Sequence, residues 1–136
     1  MNKLDKELLL QDLCARLPYR TMVKCNTDYR HEFDEELSEI HIMNFYQFEI
    51  KPYLRPMSSM TEEELNNLSQ HSGLVYDNLL LASFQNGTYK CLDFYLSEVP
   101  ANVVILVFDW LNAHHFDYRG LIEKGLALEA PEGMYN

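Results

Sequence analysis

The sequence has few cysteines, and they do not follow a disulfide or metal-binding spacing. Cys14, Cys25 and Cys91 are an odd number of thiols, and no C-x-x-C pair occurs. A disulfide framework or a zinc knuckle needs regularly spaced pairs. We therefore expect reduced, mostly buried thiols of the kind found in cytosolic proteins, with Cys14 and Cys25 packed in apolar segments.

The sequence also lacks a long apolar run. The longest candidate, residues 99–108, is interrupted by Asn102 and followed by Asp109, so it is shorter than the ~18 apolar residues of a membrane span. Acidic residues enter within the first seven positions, before any apolar signal core. We expect a cytoplasmic protein without a membrane partner.

Basic residues are scarce in the second half of the chain. Residues 61–136 carry eleven acidic and three basic side chains, whereas residues 1–60 carry ten and eight. Proteins that bind nucleic acids neutralise phosphates with Lys and Arg, so we expect no direct nucleic-acid binding. A net charge of −10 fits three interpretations: solubility, a basic protein partner, or a mimic of nucleic acid.

The composition is that of a folded domain. Hydrophobic residues make up 47% of the 136 residues, which is enough for one core. We therefore expect a single domain over residues 1–136.

The first half reads as one helix followed by strands. Leucines recur on one stripe over residues 3–17 together with Cys14, and Pro18 ends the pattern. Alternation predicts strands over residues 19–26, 37–43 and 45–51, with a loop over the charged residues 27–36. Pro52 and Pro56 then impose an extended segment.

Later signals predict two helices and a hairpin. Thr61 and Glu64 have the spacing of a capping box, and Gly73 ends this helix. Asn86-Gly87 predicts a β-hairpin between residues 79–85 and 88–96. Residues 100–115 fit a largely buried helix, although residues 103–107, which are mostly β-branched, also fit a strand. The predicted fold class is α+β, a small mostly antiparallel sheet packed with about three helices.

Motifs for chemistry are weak. His114, His115 and Asp117 are candidate metal ligands, but adjacent histidines on a helix point about 100° apart, and a helix end explains them as well. The acidic residues around His31 lack the spacing of a calcium loop. No phosphate-binding loop or G-x-S-x-G motif occurs. We expect no cofactor.

Four residues are candidates for an interaction surface: Tyr53, Arg55, Tyr118 and Arg119. Tyr and Arg are frequent binding anchors, and the first two lie between Pro52 and Pro56. A crossover packed against the sheet is the alternative explanation for that segment.

Three segments resemble a known group of sequences: LLQDLCARLPY (9–19), KPYLRPMSSMTEEE (51–64) and DWLNAHHFDYRGLIEKGLAL (109–128). Together they resemble small proteins of gut anaerobes, their prophages and related mobile elements, a group without an assigned activity. The resemblance covers about a third of the chain. It implies an accessory protein of a phage or mobile element that acts inside a bacterium.

Two functions follow as hypotheses. The favoured one is a non-enzymatic interaction protein whose partner is a second copy or a host or phage protein; its oligomeric state stays open. The alternative is a small metal-dependent or thiol enzyme that uses His114 or His115. An acidic nucleic-acid mimic is a third hypothesis, based on charge alone.

Overall fold

The computed structural model describes residues 2–28, 31–86 and 90–135. Within them are six α-helices: α1 Lys3–Arg16, α2 Glu39–Met43, α3 Glu62–Ser72, α4 Asn78–Gln85, α5 Lys90–Leu96 and α6 Ala101–Ala113. Five strands accompany them: β1 Met22–Asp28, β2 His31–Glu36, β3 Glu49–Pro56, β4 Phe116–Asp117 and β5 Leu128–Glu129. The strands form a mostly antiparallel sheet, which confirms the α+β class.

The chain divides into two compact units. The first comprises residues up to 54 together with those from 119 onward, and the second comprises residues 55–118. Among the described residues, no helix combines the length and hydrophobicity needed to cross a membrane.

The first unit is built on β1. This strand pairs antiparallel with β2 and β3, so that Cys25 lies opposite Phe33 on one side and Ile50 on the other. Alternation along β1 and β3 buries Val23, Cys25 and Ile50 in a core that also contains Leu9 of α1. The short strand β5 continues the sheet by pairing in parallel with β3.

Two predictions for this unit are wrong. Residues 31–36, predicted as part of a loop, form strand β2, because backbone pairing with β1 stabilises a strand whose charged side chains are tolerated at a sheet edge. Residues 39–43, predicted as strand, form helix α2. Ser38 and His41 cap this helix with a capping box, a local signal that outweighs the alternation.

The strand that follows is displaced along the chain from its prediction. Residues 45–48, predicted as the start of a strand, form turns, and β3 begins at Glu49 and pairs with β1. The extended segment between Pro52 and Pro56 is confirmed as the second half of β3.

Helix α1 confirms its prediction but not the burial of its cysteine. Leu9 and Leu13 are buried, whereas Cys14 is an exposed free thiol on the neighbouring face. The same helix buries an ion pair: Asp12 Oδ2 accepts from Arg16 Nε at 2.8 Å, and both side chains are 0% exposed. Arg119 Nε donates to the other carboxylate oxygen of Asp12 at 3.1 Å.

Tyr135 binds the carboxyl-terminal tail to β1 and β3 within the first unit. Its hydroxyl accepts from the backbone N–H of Met22 at 2.9 Å and donates to the backbone carbonyl of Tyr53 at 2.7 Å. Burial raises the pKa of Tyr135 to about 12, because the charged phenolate is disfavoured away from water.

The second unit begins with the end of β3, where Arg55 pairs in parallel with Phe116 of β4. The capping box is confirmed: Glu64 N–H donates to Thr61 Oγ1 at 3.1 Å, and the Glu64 carboxylate accepts from Thr61 N–H at 3.1 Å. Gly73 ends α3 with φ 84°, a left-handed conformation that favours glycine.

The predicted hairpin of the second unit is wrong. Residues 78–85 and 90–96 are helices α4 and α5, and Gly87 of the predicted turn lies among residues 87–89, outside the described residues. The apolar run of α4 buries Leu80 and Phe84 in a core with Val107 and Leu111 of α6. Packing of these side chains therefore outweighs the local preference of Asn86-Gly87 for a hairpin.

The predicted helix at residues 100–115 is confirmed as α6, with Pro100 as its N-cap. One edge of this helix is exposed, including Ile105 at 60%, so it is less buried than predicted. His115 follows with φ 65°, and Phe116 and Asp117 form strand β4.

Candidate functional site

The first unit contains a groove of about 540 Å³. We call it the lysine groove and define it by Lys6, Lys51, Lys124, Phe45, Tyr46 and Phe48. Its walls come from the amino-terminal part of α1, the turn between α2 and β3, the start of β3 with Lys51, and the turn before β5. Its volume falls in the range of sites that take a small ligand or a few side chains.

The lysines of the groove differ from the described arginines of the chain in their ion pairing. None of Lys6, Lys51 and Lys124 makes an ion pair with the residues that the structure describes. By contrast, the four arginines within the described part of the chain, Arg16, Arg20, Arg55 and Arg119, are all in ion pairs. Asp5 and Glu49 also line the groove, so three positive groups face two negative ones.

The groove wall includes an exposed aromatic side chain. Tyr46 lines the groove and is 71% exposed. Met43, three residues earlier at the end of α2, is 81% exposed. Large apolar side chains that stay in water beside a concave site are typical of a surface that contacts a partner.

A second cluster lies on the inner face of the same sheet. A ligand atom from each of Cys25, Glu35 and His41 lies within 4.8 Å of the others, and among the described residues this is the group of three that could hold a metal ion. Cys25 and His41 are buried. Three elements supply the cluster, and the structure of two of them, β2 and α2, was not predicted from the sequence.

Hydrogen bonds define the protonation of His41. The backbone N–H of Ser38 donates to Nδ1 at 3.0 Å, so Nδ1 is an acceptor, and Nε2 carries the proton directed at the Glu35 carboxylate. Burial raises the pKa of the Cys25 thiol, and the charge of Glu35 adds to this effect. Because the imidazole proton points to Glu35 and the thiol stays protonated, the arrangement lacks the activated thiolate of a nucleophile.

The predicted metal ligands of the second unit do not form a comparable group. His114 is exposed, whereas His115 and Asp117 are buried. Their ligand atoms do not lie within 4.8 Å of one another as a set. The histidine side chain of His31 lies outside the described residues, and Glu32, Asp34 and Glu36 beyond it are exposed on β2.

His114 stacks instead on the single tryptophan. The ring centroids of His114 and Trp110 are 4.0 Å apart, and Trp110 also stacks on Phe116. Although His114 is exposed as a whole residue, part of its imidazole is shielded from water where it stacks on Trp110, and this partial burial lowers the pKa of His114. The charges of Arg55 and His71 lower this pKa further, and Glu64 acts in the opposite direction. The sequence motif is therefore an aromatic stack at the end of α6.

The four candidate interaction residues make contacts inside their own units. In the first unit, Tyr53 is 8% exposed and its hydroxyl donates to Asp34 at 2.8 Å, and Arg119 binds Asp12. In the second unit, Tyr118 donates to Asn112 at 2.9 Å. An interaction surface at these positions stays a prediction.

Arg55 is the most constrained of the four. Its guanidinium donates to both carboxylate oxygens of Glu64, at 2.6 and 2.9 Å, and lies 4.2 Å from the centre of the Phe116 ring. Burial alone would raise the pKa of Glu64, but hydrogen bonds from Arg55 and Thr61 bring that pKa below its ordinary value. Arg55 therefore positions β4 against α3 within this unit.

Sequence reasoning missed the lysine groove and the cluster around Cys25. A usable signal was present for the groove, because the basic residues concentrate in the first half of an acidic chain. No spacing motif in the sequence predicts the cluster of Cys25, Glu35 and His41. Comparison of the chain with protein-family models, with curated proteins and with solved structures finds no match to any of them.

Proposed function

We propose that the chain is a non-enzymatic interaction protein that binds a partner protein through the lysine groove of its first unit. The observation that carries the proposal is the convergence on one concave surface of three lysines without ion pairs among the described residues. These lysines stand out because the chain has a net charge of −10. Long lysine side chains that make no ion pair leave their ammonium groups available to an incoming carboxylate.

The chemistry of the groove specifies its occupant. Acidic side chains of the partner would pair with Lys6, Lys51 and Lys124, and an aromatic or large aliphatic side chain would pack against Tyr46 and its neighbours. Apolar contact would supply affinity, and the charges would supply orientation and association rate. The occupant is therefore a segment of a partner protein that carries Asp or Glu beside a large apolar residue.

A catalytic role has less support. Signature motifs of enzymes are missing from the sequence, and the buried thiol of Cys25 has a raised pKa. The resemblance of the three segments to proteins of prophages and mobile elements supports a cytoplasmic accessory role in a bacterium. The partner is then a host or phage protein.

The test is a selection of peptide segments on the intact chain, followed by titration of the enriched segments. Lys124→Glu reverses one exposed charge in the groove, and Lys3→Glu makes the same change on the exposed part of α1 outside it. Reversal removes one attraction and adds one repulsion, each worth up to about 1 kcal/mol. Lys124→Glu should therefore weaken binding about tenfold, and Lys3→Glu should weaken it less than about twofold.

Two results together would support the proposal: enrichment of acidic segments with a large apolar residue, and weaker binding of those segments by Lys124→Glu than by Lys3→Glu. Tyr46→Ala should weaken the same segments, and added salt should weaken them by screening the lysines. If selection enriches no such segment, or if Lys124→Glu and Lys3→Glu have equal effects, the lysine groove is not the binding surface.

A further inference from the structure

The inner face of the first unit's sheet brings together three side chains that ligate metal ions. The sulfur of Cys25, a carboxylate oxygen of Glu35 and a ring nitrogen of His41 lie within 4.8 Å of one another. Two atoms bound to one zinc ion lie roughly 3.3–3.8 Å apart, given bonds of about 2.0–2.3 Å and tetrahedral angles. Small side-chain movements would therefore suffice to place all three around one ion.

The fold sets this arrangement through strand register. Cys25 of β1 lies opposite Phe33 of β2, so Glu35, two residues further along β2, is its diagonal neighbour on the same face. His41 comes from α2, and its imidazole contacts the Glu35 carboxylate. Three different elements thus supply one ligand each.

The donor set suits a zinc-like ion. Thiolate and imidazole select borderline-soft ions such as zinc, and a carboxylate completes a three-residue set that leaves a fourth position for water or another ligand. A divalent ion would also neutralise the two negative charges of the thiolate and the carboxylate. Calcium and magnesium are disfavoured because they require oxygen ligands.

Two of the three ligands are buried, and the third is partly exposed. Cys25 is 1% exposed and His41 is 2% exposed, which protects two of the ligands from solvent. The Glu35 side chain is 44% exposed. An ion can therefore reach the site from the side of Glu35 without opening the core.

Binding requires a defined movement of protons. His41 Nε2, which carries a proton directed at Glu35, must become the ligand, so its proton moves to Nδ1. Ser38 Oγ lies 3.3 Å from Nδ1 and can accept that proton in a hydrogen bond. The Cys25 thiol loses its proton to solvent. Each bound ion therefore releases one proton to solvent. The hydrogen bond from the Ser38 N–H to His41 Nδ1 is lost at the same time, because Nδ1 then carries a proton.

We propose that Cys25, Glu35 and His41 form a binding site for a divalent transition-metal ion of the zinc type. In this site the ion takes the place of the proton between His41 and Glu35. The site goes beyond the proposed partner binding and does not depend on it.

Cobalt(II) is the probe, because a thiolate bound to cobalt gives a charge-transfer absorption that other ligands do not produce. The full-length chain carries Cys14→Ser and Cys91→Ser, so Cys25 is its only thiol. We expect saturation at one cobalt per chain, a thiolate charge-transfer band, and loss of that band when zinc is added. An indicator dye should record about one proton released per ion.

Two matched variants test the ligands. Glu35→Gln should weaken cobalt binding by more than about tenfold. Glu36→Gln changes the next residue of β2, which pairs with Arg20 on the outer side, and should leave the affinity unchanged. Both side chains are about half exposed, Glu35 at 44% and Glu36 at 48%, so both variants should fold, and circular dichroism checks this. Cys25→Ser should abolish the charge-transfer band.

The absence of a thiolate band at cobalt concentrations well above that of the protein would overturn the proposal. Equal binding by Glu35→Gln and Glu36→Gln would overturn it as well. A band that survives in Cys25→Ser would assign the signal to another site and would also reject the proposed set of ligands.

Discussion

The carboxylate of Asp12 is buried between two arginines, and Asp12→Ala is therefore expected to be costly. Asp12 and Arg16 are both 0% exposed, and their atoms Oδ2 and Nε are 2.8 Å apart. Removing the carboxylate leaves the charge of Arg16 buried without its acidic partner, a loss of about 3–5 kcal/mol for pairs of this kind. Arg119 is 23% exposed, so water compensates part of its loss.

Urea denaturation followed by circular dichroism measures this effect. With an m-value of about 2 kcal/mol/M, a loss of 3–5 kcal/mol lowers the midpoint by roughly 1.5–2.5 M. Arg20→Gln is the control, because Arg20 is 83% exposed in its pair with Glu36. The control should cost less than about 1 kcal/mol. Asp12→Asn provides a milder change that keeps the shape of the side chain.

Substitutions of Asp12 and Arg16 should be strongly non-additive. The double variant Asp12→Leu, Arg16→Met removes both buried charges and fills the space with apolar atoms. It should recover most of the stability that Asp12→Ala loses. Two results would refute the claim that a buried charge without its acidic partner sets the cost. One is an equal loss of stability in Asp12→Ala and Arg20→Gln. The other is a double variant whose loss equals the sum of the losses in its component single variants, Asp12→Leu and Arg16→Met.

Three further changes test other contacts. Because His114 stacks on Trp110, tryptophan fluorescence should fall on protonation with a midpoint below pH 6.5, since burial lowers the pKa of His114; His114→Gln should abolish the transition. The unfolded chain binds that proton more readily than the folded chain, so stability should decline as the pH falls through about 6.5 and below. Tyr135→Phe removes two hydrogen bonds to the backbone and should cost about 1–3 kcal/mol in urea denaturation. The pKa of Tyr135 is raised from 10 to about 12, so its contribution to the free energy of unfolding should be lost as the pH rises through this window. Absorbance titration of the phenolate can check the raised pKa. Thr61→Ala should lower stability by about 1 kcal/mol, whereas Thr61→Ser should retain most of it.

Predictions from local signals succeeded where the chain satisfies its own backbone groups. Thr61 and Glu64 bond to each other's backbone N–H groups at the start of α3, and Gly73 supplies the left-handed residue at its end. Pro100 is the N-cap that precedes α6, a position where proline is tolerated because the helix makes no use of an N–H there. Each of these signals acts within a few residues, so the sequence contains all the information needed.

Predictions failed where distant segments decide the structure. Asn86-Gly87 has a local preference for a hairpin, yet Leu80 and Phe84 are buried as a helical face against α6. Residues 31–36 contain four acidic side chains and look like a loop, but pairing with β1 makes them a strand. Local propensity is a weak guide when burial of apolar side chains or pairing with another strand contributes more free energy.

The candidate sites depend on the same long-range contacts. Lys6, Lys51 and Lys124 are separated by 45 and 73 positions, so no motif search joins them. The cluster of Cys25, Glu35 and His41 requires β2 to pair with β1 in the observed register. A slip of one residue would turn Glu35 to the outer face and separate it from both partners. Because residues 31–36 read as a loop, the inward position of Glu35 had no basis in the sequence, and a metal site built on it became visible only with the strand pairing.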